Sequence, residues 1–178
     1  MRIIITLFLA LTMLLQAAAP VPRKAAELKV LEPSGNQILM SSLKGKVVVV
    51  QFLFTWCPHC QNTAKVLSKL QNELGPKGLQ VVGLAFNDEV LTKDAAKNNA
   101  EALKFKQYAS FPVGITTRDV VLNYLGFSVL DRGWGVPLMV IVDRKGMVVA
   151  QSKAAGGSPE LQEEAPLRAT LTKLLSEK

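Results

Sequence analysis

The chain has 178 residues, 49% of them hydrophobic and 20% charged, which suits one ordinary globular domain with a full core. Its net charge of +7 is spread without a long Lys/Arg block, and only 6% of residues are aromatic, so nothing marks a nucleic-acid surface. The surplus reads as a solvated basic surface and leaves room only for weak affinity toward anionic lipid headgroups.

Met1-Arg2, the apolar-dominated run Ile3 to Leu15 and the small residues Ala17-Ala18-Ala19 predict a secretory signal over residues 1–19. The run is shorter than the roughly 20 residues a membrane span needs, and Pro20 disfavours a cut after Ala19. A cleaved leader and a retained N-terminal anchor are therefore both expected alternatives. Either delivers the domain outside the cytoplasm, to the periplasm, and membrane contact is expected only through an uncleaved N-terminus. No cysteine lies in or just after the segment, which excludes a lipoprotein anchor.

Residues 20–27 (PVPRKAAE) read as a linker, and 28–178 as the folded domain. Leu28–Leu31 and Gln37–Met40 flank Pro33-Ser34-Gly35-Asn36 as a short hairpin. Val47 to Phe54 is apolar except for Gln51, as expected of a strand buried on both faces of a sheet. A helix is predicted from Cys57-Pro58 to about Leu74, stopped by Gly75-Pro76, then a buried strand over Leu79 to Phe86. Next come a helix from Asp94 to about Tyr108, a short strand over Phe111 to Ile115, and a short helix from Arg118 to Leu125 closed by Gly126. A strand over Leu138 to Val142 turns at Asp143–Gly146 into a partner over Met147 to Ala150. One amphipathic helix from Ser158 to Leu175 ends the domain, with Pro159 in its first turn. A β-α-β start and a β-β-α finish predict an α/β domain with a central mixed sheet and helices on both faces.

The chemistry concentrates at Thr55-Trp56-Cys57-Pro58-His59-Cys60. The chain's two cysteines both lie here, so they staple no loop elsewhere, and an exported protein that keeps such a pair uses it for something else. A strand running straight into this turn puts Cys57 at a helix N-cap, where unpaired N–H groups and the positive dipole end favour a thiolate. Pro58 suits the first helical position, and a protonated His59 adds positive charge beside the sulfur. Cys60, three residues on and turned inward, is placed to close the ring, so Cys57 attacks a substrate disulfide and Cys60 resolves the adduct. Structural zinc wants four ligands, more than two cysteines and the single histidine supply. A permanent disulfide around two residues would add little loop-entropy stabilisation. A Cu(I) carrier using both thiolates stays an alternative, as does a thiol peroxidase, although Thr55 is two residues before Cys57 rather than three and no upstream Pro completes the peroxidase pattern. No cofactor and no resident metal are expected.

The segment Val47-Val-Val-Val-Gln-Phe-Leu-Phe-Thr-Trp-Cys-Pro-His-Cys resembles the active-site strand and turn of thioredoxin-fold proteins. The lead-in Leu43-Lys-Gly-Lys-Val, the preceding hairpin, and Gly135-Val136-Pro137 before Val140-Ile-Val-Asp-Arg-Lys-Gly resemble the TlpA/ResA-like redoxin branch, over roughly residues 28–176. The resemblance implies a thioredoxin fold with an N-terminal β-hairpin extension, and a redox-active Cys57–Cys60 disulfide in an enzyme that exchanges electrons with protein thiols and disulfides. It also implies a cis-proline loop at Val136-Pro137 that pairs with the substrate chain, a shielding ring at Trp56, and a membrane reductase as a candidate electron donor. Relatives often carry an acid at the position of Gln51 or of Thr63, and this chain has neither, so the base for Cys60 is not evident. The Pro-His dipeptide is typical of the oxidising DsbA rather than of the reducing TlpA branch, so dipeptide and scaffold point in opposite directions of electron flow.

Overall fold

A computed structural model of the chain describes residues 19–86, 95–128, 135–153 and 157–177. The expected leader, apart from Ala19, and the expected helix start at Asp94 lie outside the described residues. The main sheet holds six strands in the order β1-β8-β7-β4-β5-β6: β1 (Arg23–Lys24), β8 (Met147–Gln151), β7 (Leu138–Val142), β4 (Val47–Leu53), β5 (Leu79–Ala85) and β6 (Val113–Ile115). The sheet is mixed, because β4, β5 and β6 run parallel while β7 lies antiparallel to β4 and β8 to β7. A separate hairpin is made by β2 (Lys29–Leu31) and β3 (Gln37–Leu39).

β4 is central because every one of its seven residues is buried. Alternation divides them between two cores: Val47, Val49 and Leu53 point one way, Val48, Val50 and Phe52 the other. The first core is covered by α1 (Pro58–Leu74) through Leu67 and Leu70, and by α2 (Ala95–Phe105) through Ala102 and Phe105. Leu161 and Leu167 from α4 (Pro159–Gln162) and α5 (Glu164–Ser176) complete that layer. The second is covered by α3 (Arg118–Leu125) through Val121, Leu122 and Leu125, and by Leu28 and Val30 of the hairpin. The hairpin reaches β6 closely: a Cβ on Gly114 would sit 2.7 Å from the Leu31 carbonyl oxygen and 2.8 Å from its nitrogen. Only glycine allows that approach.

Three expectations change. The closing helix is two, because Glu163 is extended (φ −84°, ψ 143°) between α4 and α5. Pro166 explains the break, since a continuous helix would press its ring on the Gln162 carbonyl, whereas in the first turn of α5 its missing N–H costs nothing. β6 starts at Val113 rather than Phe111, and Pro112 before it has no N–H to give a ladder. Residues 20–27 are not a plain linker: β1 pairs with β8, and the Arg23 guanidinium donates to the Tyr124 carbonyl at 2.8 Å and to Gln151 Oε1 at 2.6 Å.

Candidate active site

β4 delivers the chain to the end of the sheet, and after Phe54-Thr55-Trp56 the backbone enters α1 at Pro58. Cys57 is the N-cap, extended at φ −76° and ψ 118°, so its side chain faces the first-turn N–H groups. The Cys60 N–H donates to Cys57 Sγ at 3.4 Å. Both cysteines are free thiols here. Cys57 is 7% exposed and Cys60 not at all, which leaves Cys57 as the sulfur a partner can reach. Burial, with the Cys57 sulfur beside it, pushes the Cys60 thiol well above its ordinary range. His59 is exposed at the second position of α1.

Two loops frame the pair. The Val136–Pro137 peptide is cis, and the Val136 carbonyl faces the thiol, with Cys57 Sγ 3.8 Å from its oxygen. The Gln162 side chain donates to the Pro137 carbonyl at 3.0 Å, so α4 holds this loop from behind. On the other side Trp56 is 56% exposed, and its ring stacks on Phe54 at 5.3 Å, which in turn tilts against buried Phe86 at 4.8 Å. Trp56 is thus the open end of an aromatic column rooted in the core, not a core residue itself.

Gln51 is fully buried under the pair; its Nε2 donates to the Cys60 carbonyl at 2.9 Å, while Oε1 finds no partner. Thr63 is buried one turn after Cys60 on the same face of α1. A carboxylate does approach the turn, from an element the sequence did not associate with it. Glu101 on α2 accepts the Thr55 hydroxyl at 3.1 Å and pairs with Lys104 at 2.7 Å. Lys104 first, then Thr55, holds that carboxyl below its usual range, so it is ionised at neutral pH. The Thr55 carbonyl also accepts from Gln61 Nε2 at 3.0 Å, which ties the same residue to α1. Glu101, Gln162 and Phe86 were not readable as site residues: each is distant in sequence, and no local pattern marks it.

A dithiol at the N-terminus of the first helix after a central strand, faced by a cis-proline loop, defines the chain as a thioredoxin-fold protein. The model of the AhpC/TSA family matches residues 21–151, and the chain belongs to that family, which makes it an oxidoreductase. It is similar to the thiol-disulfide oxidoreductase ResA of Bacillus thuringiensis, at 27% identity over 129 residues covering 72% of this chain and 67% of the relative. It is also similar to the thiol:disulfide interchange protein DsbE of Haemophilus influenzae, 29% identical over 106 residues that cover 59% of this chain and 49% of the relative. Among solved structures, a thiol:disulfide interchange protein of the thioredoxin family from Chlorobium tepidum shares the fold at TM-score 0.64 and 22% identity, covering 89% of this chain and all of that one. The solution structure of a thiol:disulfide interchange protein from Bacteroides sp. does so at TM-score 0.64 and 21% identity, over 89% and 91% of the two chains.

Proposed function

We propose that this protein is an extracytoplasmic thiol-disulfide oxidoreductase that exchanges electrons with protein substrates through Cys57 and Cys60. The observation that carries the reading is the asymmetry of the pair: Cys57 caps α1 and faces the Val136 carbonyl, while Cys60 is sealed behind it.

The chemistry follows from that asymmetry. The Cys57 thiolate attacks one sulfur of a client disulfide, a new Cys57–client S–S bond forms, and the client's other sulfur leaves as a thiolate. Cys60 then loses its proton and attacks Cys57 Sγ, closing the Cys57–Cys60 disulfide and releasing the second client thiolate. Two electrons pass from the protein to the client, and a membrane dithiol reductase would restore the Cys57–Cys60 pair. Run backwards from the disulfide, the same steps oxidise a client dithiol. The client chain lies against Val136-Pro137, and Trp56 offers it an apolar ring beside the reacting sulfur. With Gln51 and Thr63 where relatives often carry acids, removal of the buried Cys60 proton is the step this site performs with least help. The copper-carrier alternative has less support, because among the described residues no third His, Cys, Asp or Glu gathers with the two thiols.

The trapping experiment tests this directly. In Cys60→Ser, Cys57 should accumulate client proteins as dithiothreitol-sensitive adducts in the exported fraction, and Cys57→Ser should trap nothing. Absence of adducts in both variants, with copper co-purifying with the unaltered protein, would hand the site to the copper reading.

A further inference from the structure

At the end of the sheet away from Cys57, the loops before β4 and β5, the β7–β8 turn and the end of β1 meet. Hydrogen bonds prove the meeting. The Arg144 guanidinium donates to the carbonyls of Gly45, Lys77 and Leu175, and Gly45 and Ala25 donate backbone N–H groups to Arg144 and Gly146. This brings Lys24, Lys44, Lys46, Lys77, Arg144 and Lys145 to one pole, and all five lysines are exposed. None of the five makes an ion pair with another described residue, unlike Lys69, Lys104, Lys106 and Arg168 on the flanks, which each meet a carboxylate. The two terminal nitrogens of Arg144 donate to carbonyl groups and its Nε finds no partner among the described residues, so no carboxylate of theirs neutralises its charge.

The acids at the pole are fewer, three against six cations, although Glu27 and Glu177 are themselves exposed. Asp143 Oδ1 accepts the N–H groups of Lys145 and Met147, and Glu27 accepts that of Ser41, leaving Glu177 at the end of α5. Between them lies a cavity of about 290 Å³, lined by Lys24, Lys44 and Lys145 against Glu27 and Asp143, with Met40, Leu43, Val48 and Val142 as an apolar floor. Cations around an apolar recess complement a phosphate-bearing headgroup attached to a hydrocarbon body.

We infer that this pole docks on the surface of an anionic phospholipid bilayer. The seven residues of β4 separate the pole from the Cys57 turn by roughly 20 Å, so a docked molecule holds its thiols facing away from the lipid. That distance is about twice the screening length in 0.1 M salt, so charge changes at the pole leave the thiols unperturbed. The inference is independent of the proposed reaction.

The test is co-sedimentation of the full chain with phosphatidylglycerol vesicles and with phosphatidylcholine vesicles. Binding should favour phosphatidylglycerol and disappear as salt is raised. Each basic residue near such a surface raises partitioning on the order of fivefold, so Lys44→Gln/Lys46→Gln/Lys145→Gln should lower it by about 100-fold. Lys65→Gln/Lys106→Gln/Lys153→Gln, with the same net charge, should lower it far less. Binding that is equal on both lipids belongs to an apolar N-terminus, and with no excess on phosphatidylglycerol the inference fails. Equal losses in the two triple variants, or displacement by millimolar inorganic phosphate, would overturn it in favour of diffuse attraction or a free-anion site.

Discussion

Exchanging Gln51 for Asp would place a carboxyl where this site lacks one, and its consequences can be worked from the packing. Gln51 is fully buried and its Nε2 binds the Cys60 carbonyl at 2.9 Å. Aspartate is one methylene shorter, so its carboxyl ends about 1.5 Å short of that contact. The lost hydrogen bond costs about 1 kcal/mol and the missing methylene about another 1 kcal/mol. Burial also raises the new carboxyl; a shift of about 3 units is the modest end for a fully buried acid, and at 1.36 kcal/mol per unit it adds about 4 kcal/mol at neutral pH. The sign is definite. The unfolded chain ionises this group near pH 3.9 while the folded one keeps its proton, so stability relative to the unaltered protein falls between about pH 4 and pH 7 and not below. Urea unfolding of the reduced proteins should therefore show a deficit of about 2 kcal/mol near pH 4 that grows to about 6 kcal/mol near pH 7. Single-turnover resolution of a Cys57 mixed disulfide should become faster in the variant as pH rises through about 7, where the buried carboxyl gives up its own proton and can accept that of Cys60. A pH-independent deficit would mean that the carboxyl is not held neutral, and an unchanged resolution rate would mean that proton removal from Cys60 is not the slow step.

The Cys60 thiol, raised by burial, makes a related prediction for the unaltered reduced protein. Above the ordinary thiol value of about 8.5 the unfolded chain ionises Cys60 first, so stability should fall by about 1.4 kcal/mol per pH unit from there, a loss that Cys60→Ala removes in urea titrations. Thr55→Val deletes the hydroxyl that Glu101 accepts and leaves that carboxylate partly buried with Lys104 alone. It should cost about 1–2 kcal/mol in thermal unfolding and slow adduct formation at Cys57, while a leucine at exposed Val120 should do neither. His59→Pro removes the imidazole from the first turn of α1, and should lower the Cys57–Cys60 reduction potential by at least about 30 mV against a glutathione buffer; an unshifted potential would show that His59 does not tune the pair.

The sheet was legible because its three central strands are apolar runs, broken by a polar side chain only at Gln51 and Gln80, and bounded by Gly, Pro or charged turns. Cys57-Pro58 reads as a helix start for equally local reasons. Elsewhere local reading fell short. The leucines of 161–175 share a helical period that outweighs one proline, yet Pro166 splits the segment at Glu163. Arg23-Lys24 has no apolar alternation, and its strand exists because Arg23 reaches Tyr124 and Gln151, more than 100 residues away. At the site, the two thiols and their neighbours are contiguous and could be read directly. The tie from Glu101 to Thr55 spans 46 residues and depends on how α2 lies over the first core, which no spacing rule encodes.

The edges of the sheet bear on what such a protein can safely touch. An enzyme that handles client disulfides meets extended, partly unfolded chains, and any long bare strand on its own flank would zip them up as extra strands. Here one edge is a two-residue strand made of Arg23 and Lys24, whose charges repel an apolar intruder. The other is the three-residue β6, lidded by the hairpin at Gly114. Backbone pairing with a visitor is thereby discouraged along both flanks, which in the function proposed above leaves it to the loop at Val136-Pro137, next to the sulfur that lets the visitor go again.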